Sequence, residues 1–225
     1  MKKKIPVILL ILVGIFAIKH TQAQVNDAGL WLNANAEKEL SKKVNVALSG
    51  ELRYNENISE LGAGLFDAGL VYKFNKHLKF SANYRFALKR QLNNEYNSYH
   101  RYFFDLTYKY NLKPFSFQFR TRFQSAYSEI GNRDGIFASD FYSRNKITVK
   151  YGLKKKIDLC GSLELFSPLW NKQNIFRDEA RYTFGVEYQI NKKQRLDVYY
   201  MIQREYEVKN PLTEYIIGLS YNIEF

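Results

Sequence analysis

From Ala28 to the end of the chain, apolar side chains return at every second position in one segment after another. Strict period two marks a strand whose two faces meet different surroundings. The last residues are the plainest case. Tyr215, Ile217, Leu219, Tyr221, Ile223 and Phe225 alternate with Glu214, Ile216, Gly218, Ser220, Asn222 and Glu224. The fourth segment is equally regular, with Leu78, Phe80, Ala82, Tyr84, Phe86 and Leu88 set against Lys79, Ser81, Asn83, Arg85, Ala87 and Lys89. In order, the pattern predicts eleven segments, beginning near Ala28, Val44, Phe66, Leu78, Arg101, Phe115, Phe141, Ile157, Arg181, Arg195 and Thr213.

The segments run to about 11 residues, the length a tilted strand needs to cross a hydrocarbon layer. Their connections alternate. Short ones at Leu40–Lys43, Asn75–His77, Asn111–Pro114, Lys154–Lys156 and Asn191–Gln194 are interleaved with longer ones at Asn55–Gly64, Gln91–Tyr99, Ser128–Ser139 and Pro168–Asp178. Gly131-Asn132 and Asp134-Gly135 are turn pairs inside one of the long connections. Sorting by parity is expected when one rim carries short periplasmic turns and the other longer extracellular loops. The expected fold class is therefore all-β, an antiparallel up-and-down transmembrane β-barrel of ten to twelve strands. An even count brings both chain ends to the periplasmic rim, so twelve strands are expected. The first segment, with its small Ala34 and Ala36, is the weakest of those counted. The alternative is a soluble exported β-barrel that binds a ligand, because period two does not say which face meets water.

Met1–Ala23 has the form of a cleaved secretory signal peptide. It has basic Lys2–Lys4, an apolar run from Ile5 to Ile18 and a Thr21-Gln22-Ala23 cleavage site. The run is shorter than the roughly 20 residues of a transmembrane helix. Residues 24–225 are then the barrel. The net charge is +12, of which Lys2, Lys3, Lys4 and Lys19 account for four, leaving the mature part at +8. A basic exported chain points to anionic lipid or saccharide rather than nucleic acid. The mean hydropathy of −0.41 excludes a helical membrane protein but suits a barrel, where only half of each strand is apolar. Cys160 is the single cysteine, so no internal disulfide exists.

In a barrel the apolar faces look at lipid. Tyr54, Phe66, Tyr110, Phe115, Phe141, Tyr151, Tyr188, Tyr215 and Phe225, read as near strand ends, are expected to form interfacial girdles. The opposite faces line the lumen with basic Arg53, Arg85, Arg101, Arg120, Arg122, Arg144, Lys146 and Arg181. They also carry acidic Glu51, Asp67, Asp105, Asp158, Glu164 and Glu187. That density of opposite charge predicts a wet, ion-paired interior rather than an apolar ligand pocket. The ending, with Tyr221, Ile223 and terminal Phe225, resembles the C-terminal signal that outer-membrane barrels present to the barrel-assembly machinery.

Asp27-Ala28-Gly29-Leu30-Trp31, the turn lysines Lys42-Lys43, Gly50-Glu51-Leu52-Arg53-Tyr54, Tyr84-Arg85 and Arg101-Tyr102 together resemble a Bacteroidota outer-membrane family known only as domain of unknown function 2490. The resemblance spans essentially the whole mature chain. It implies an outer-membrane barrel and brings no substrate and no catalytic residues.

Little in the sequence speaks for chemistry. Ser98 and His100 share a face near the long-loop rim and, facing lipid, resemble the Ser and His of outer-membrane lipid A deacylases and phospholipases. A nucleophile and base are recognised by geometry, which spacing alone does not supply. Cys160 reads as a packed small residue. No cofactor motif, metal-ligand spacing or Gly-rich phosphate loop is present. The sequence thus predicts a non-enzymatic outer-membrane barrel serving envelope structure, a narrow pore or surface interaction. Its expected partners are outer-membrane lipid, lipopolysaccharide and, during biogenesis, the assembly machinery. A lipid acyl hydrolase at Ser98 and His100 is the alternative.

Overall fold

The computed structural model describes residues 25–129, 140–169, 178–207 and 210–225. The signal peptide and the turn pairs Gly131-Asn132 and Asp134-Gly135 lie outside the described residues. Among the described residues there are eleven strands: β1 (Val25–Ser41), β2 (Val44–Asn55), β3 (Glu60–Lys73), β4 (Leu78–Arg90), β5 (Tyr96–Leu112), β6 (Phe115–Glu129), β7 (Asp140–Lys154), β8 (Ile157–Pro168), β9 (Glu179–Gln189), β10 (Gln194–Glu205) and β11 (Leu212–Glu224). They form one closed barrel in sequence order.

Every consecutive pair is antiparallel, but the barrel closes by a parallel pairing of β1 with β11, from Val25↔Leu212 to Glu37↔Glu224. This corrects the expected twelve strands. The first segment, judged weak for its small residues, is a full strand of seventeen residues. It is long enough to pair with β2 along one edge and β11 along the other, so no twelfth strand is needed to remove the sheet edge. The odd count places the start of β1 and the end of β11 at opposite rims.

The rims differ as the pattern predicts, with two corrections. The connection expected at Gln91–Tyr99 spans only residues 91–95, because β5 begins at Tyr96. The connection expected at Asn55–Gly64 shrinks to residues 56–59, because β3 begins at Glu60. Glu56, Asn57 and Ile58 hold left-handed backbone, with φ of 51°, 56° and 69°. Such angles are uncommon for residues with a Cβ. The carboxylate of Asp27 accepts the backbone N–H of Glu56 at 3.0 Å and of Asn57 at 2.8 Å, and the carbonyl of Ala28 accepts that of Ile58 at 3.1 Å. The start of β1 thus ties down the turn. The earlier start of β3 also moves Phe66 from an interface to mid-strand.

The outer surface is apolar in all strands. Phe66, Phe104, Phe184 and Ile217 are each about half or more exposed, at 50%, 49%, 67% and 51%. Tyr110, Phe115, Tyr151, Tyr188 and Phe225 lie exposed toward the short-turn rim, and Phe141 and Tyr215 toward the other. A continuous apolar skin of this extent is far beyond what soluble monomers present to water.

Large and small residues alternate across the narrow interior. Tyr199 lies opposite Gly185 on β9 and Gly218 on β11, and Gly218 lies opposite Trp31 on β1. A Cβ on Gly218 would run into the Tyr199 ring. The Tyr199 hydroxyl accepts from the Asn33 side chain at 3.2 Å, and the ring packs on Trp31, Met201 and Ile216. Gly218→Ala is therefore expected to displace this ring and cost about 1–3 kcal/mol by overpacking. The check is the denaturant midpoint of the folded barrel, with Ser220→Ala as a neighbouring control that leaves the ring in place.

Candidate functional site in the barrel lumen

All fourteen charged residues expected in the lumen sit on inward-facing strand positions, and the register explains who meets whom. Asp67 faces Arg85 across the β3–β4 pair, and the guanidinium donates to both carboxylate oxygens at 2.6 and 2.7 Å. Asp105 faces Arg122 across β5–β6 in the same bidentate form, at 2.6 and 2.8 Å, with both side chains nearly dehydrated. Glu164 accepts from Arg144 at 2.9 Å and also from Arg120. Glu51 pairs with Arg53 along β2, Glu187 with Lys150 at 2.6 Å, and Arg181 with Glu179 at 2.9 Å. Direct cross-strand opposition makes the two bidentate pairs, while the others form along one strand, diagonally between neighbours or past a neighbouring strand. Two members stand apart. Arg101 lies opposite Arg85, a like charge. Asp158, at the short-turn end of β8, enters no ion pair among the described residues.

The expectation of a wet interior holds only for part of the lumen. Guanidinium groups of the half nearer the long-connection rim lie on aromatic rings: Arg53 over Trp31 at 3.8 Å, Arg122 over Phe103 at 3.8 Å, Arg144 over Phe166 at 4.1 Å and Arg181 over Phe166 at 4.5 Å. Buried side chains at this level come from β1 (Trp31), β3 (Leu65), β4 (Ala87), β5 (Phe103), β6 (Arg122), β7 (Arg144), β8 (Glu164, Phe166), β9 (Ala180), β10 (Met201) and β11 (Ile216). Phe103 is 2% exposed and Arg144 6%. This layer draws on ten of the eleven strands and narrows the barrel at one level, with Trp31, Arg122, Arg144 and Met201 also lining the cavity beside it. Planar guanidinium over a ring leaves the edge donors free for carboxylates, so stacking and ion pairing are satisfied together. The signal for it was present in the sequence: Trp31, Phe103 and Phe166 fall on the polar parity of their strands, and an aromatic ring there can only point inward.

Below this layer, toward the short-turn rim, lies a polar cavity of about 670 Å³. One wall carries Lys109, Gln118, Arg120, Lys146, Thr148, Lys150, Cys160 and Ser162. The facing side carries Asn33, Asn35, Ser49 and Ser220 together with acidic Glu51, Asp67, Asp197 and Glu224, and the Asn35 amide donates to Ser220 at 3.0 Å. Cys160 is a half-buried free thiol. A smaller cavity of about 360 Å³, lined by Glu37, Lys192, Lys193 and Glu224 among others, adjoins the rim. At the opposite rim the Tyr142 hydroxyl donates to the Asp178 carboxylate at 2.8 Å, and burial pushes that carboxyl above its ordinary range.

Ser98 and His100 both lie within β5, not in a loop, opposite Leu88 and Phe86 of β4. The His100 ring is hydrogen-bonded through Nδ1 to the Tyr84 hydroxyl and packs on Phe86, with centroids 5.4 Å apart. No group of His, Cys, Asp and Glu that could hold a metal occurs among the described residues. Tyr221 and Ile223 sit in the β1–β11 seam, opposite Ala34 and Ala36. Phe225 closes the strand, its N–H donating to the Glu37 carbonyl at 2.9 Å, with Lys38 over its ring.

These features define a small closed β-barrel, apolar outside, with a charged interior that is packed in one half and hollow in the other. The chain belongs to the family described as protein of unknown function (DUF2490), whose model matches residues 28–213, as Asp27–Trp31 and Gly50–Tyr54 led one to expect. No curated protein matches it. Among solved structures it is similar to the NanC porin, with 12% identity and a TM-score of 0.49, over 78% of this chain and 86% of that one. It is also similar to the β domain of the Bordetella autotransporter BrkA, with 8% identity and a TM-score of 0.47, over 83% and 86%. A third likeness is to the translocator domain of the autotransporter NalP from Neisseria meningitidis, with 8% identity and a TM-score of 0.40, over 73% and 71%.

The Asp105–Arg122 pair gives a direct test of the packed layer. Asp105→Asn leaves a dehydrated guanidinium without its counter-charge, which for buried pairs costs about 3–5 kcal/mol. The expected result is a clear fall in the unfolding midpoint. Neutralising Lys73, whose partner Glu39 is exposed, is expected to cost about 1 kcal/mol or less.

Proposed function

We propose that the protein is an integral outer-membrane β-barrel of a Gram-negative, Bacteroidota-type envelope. In this reading Met1–Ala23 is cleaved on export, and the barrel acts without catalysis as a sealed envelope element rather than an open pore. The apolar skin supports the membrane placement, since in hydrocarbon every backbone N–H and C=O must pair internally and only a closed sheet achieves this. The short turns then face the periplasm and the longer connections the cell exterior. Lipid and lipopolysaccharide surround the apolar belt. The assembly machinery reads β11 through Tyr221, Ile223 and Phe225 before β1 covers it.

The observation that carries the sealed reading is the packed layer of Trp31, Phe103, Arg122, Arg144 and Phe166. Solute crossing would need to separate guanidinium groups from both carboxylates and rings at once, in a region with little water. The role left to the barrel is structural, with surface contact through the long-connection rim.

Two measurements test this. Protein from the outer-membrane fraction is expected to migrate fast on a gel when unboiled and to shift on boiling. An unshifted band in the soluble periplasmic fraction would instead make the aromatic face a water-excluded core. In planar bilayers the wild-type barrel is expected to show no channel steps, and a Phe103→Ala/Phe166→Ala double variant to show small ones. Regular conductance from the wild type would overturn the sealed lumen.

A further inference from the structure

We infer that the hollow half of the lumen binds a compact, multiply charged oxyanion on the wall formed by β5 to β8. The register builds the site. Lys109 of β5 lies opposite Gln118 of β6, Gln118 opposite Thr148 of β7, and Thr148 opposite Ser162 of β8. These three neutral groups make a floor of hydrogen-bonding side chains, and Thr148 is buried. Cations flank the floor on the same face: Lys109 at one end, Arg120 opposite Lys146 on one side, and Lys150, two residues along β7 from Thr148, on the other. All of them line the same cavity.

The charges around this floor do not balance. Glu164 is engaged by Arg120 and Arg144, and Glu187 by Lys150 and Arg195. Lys109 and Lys146 have no ion-pair partner among the described residues. The facing wall does carry acids, Glu51, Asp67, Asp197 and Glu224, beside neutral Asn33, Asn35, Ser49 and Ser220, but the cavity as a whole is lined by twelve Lys and Arg against six Asp and Glu. Ammonium groups held close in a confined space repel one another, and an anion between them relieves that cost. Lysine acts toward phosphoryl and carboxylate oxygens as a point charge with three donors, so a ligand with several oxyanion groups fits better than a monovalent one. The amides and hydroxyls supply the remaining hydrogen bonds. Phosphoryl and carboxylate ligands share this chemistry.

The inference rests on the sealed-lumen reading only in that the ligand enters from the short-turn rim. Its test uses the folded mature chain in detergent and does not depend on membrane orientation. Titration calorimetry at low salt with sodium pyrophosphate, with citrate and with acetate as the monovalent control reads the affinity. Saturable 1:1 binding is expected for pyrophosphate or citrate, at least about tenfold tighter than acetate. Tighter pyrophosphate assigns phosphoryl groups, and tighter citrate assigns carboxylates. A Lys109→Gln/Lys146→Gln double variant that keeps its heat-shifted band is expected to bind at least about tenfold more weakly, while Lys42→Gln in the β1–β2 turn changes nothing. Cys160 gives a readout on the unmutated protein, because saturating ligand is expected to slow its modification by a small thiol reagent. The inference is overturned if neither multivalent anion binds by about 10 mM, if the folded double variant keeps full affinity, or if Cys160 reacts at the same rate with and without ligand. Wild-type channel steps in bilayers would remove the seal and leave this binding result standing.

Discussion

The structure depends on the hydrogen-bonded seam between β1 and β11. A sheet of eleven strands has two edges, and hydrocarbon tolerates neither. With consecutive strands antiparallel, an odd number leaves the first and last strands pointing the same way, so they can close only in parallel. The seam runs through thirteen register positions from Val25↔Leu212 to Glu37↔Glu224. It asks much of β1, which must pair on both edges and still pass the crowded interior. On its inward face β1 meets that demand with small Gly29, the amides Asn33 and Asn35, and Trp31 as its one large ring. The same strand supplies Asp27 to hold the left-handed turn after β2. Closure and the first turn are thus one cooperative unit.

Closing with so few strands makes the lumen narrow, and a narrow lumen lined by long cations is costly unless the charges are arranged. Two devices recur. Opposite charges face one another across neighbouring strands, as in Asp67–Arg85 and Asp105–Arg122. Rings from adjacent strands receive the flat faces of the same guanidinium groups. Removing a guanidinium from water costs several kcal/mol, and neither device alone offsets it. Together they satisfy the edge donors and the face. The glycines at 185 and 218 belong to the same solution, since they leave room for Tyr199 beside Trp31.

Much of this was legible in the sequence. Period-two alternation located all eleven strands, and the parity of charged positions put Arg85, Arg122, Arg144 and Glu164 inside. What it missed has physical causes. Strand count was biased toward twelve because the even rule assumes antiparallel closure, and nothing in a hydrophobic pattern distinguishes a parallel seam from an antiparallel one. The boundaries of β3 and β5 were drawn late because Glu60–Leu65 and Tyr96–Tyr99 alternate poorly at the rim, where both faces are polar or mixed. Arginine–ring stacking joins residues from different strands, such as Arg53 with Trp31, so it needs the register as well as the parity. Ser98 and His100 looked close because they are two apart in sequence, whereas the neighbours that matter to His100 are Tyr84 and Phe86, across the strand pair.

The division of labour between arginine and lysine then follows from their chemistry. Arginine can be dried out, because its planar fork keeps bidentate partners and a ring face. In the packed half Arg85, Arg122 and Arg144 are consumed in this way, each with a carboxylate. Lysine is a compact, strongly hydrated charge, and Lys109, Lys146 and Lys150 line the half that still has room for water. Acids do reach two of these lysines, since Glu187 pairs with Lys150 and Glu164 faces Lys146, but Glu164 is held by Arg120 and Arg144. The other neighbours at the floor are Gln118, Thr148 and Ser162, groups that hydrogen-bond an anion without neutralising the lysines themselves. The electrostatic cost left standing in the hollow half is therefore the feature that separates a lumen merely filled from one kept open for a ligand.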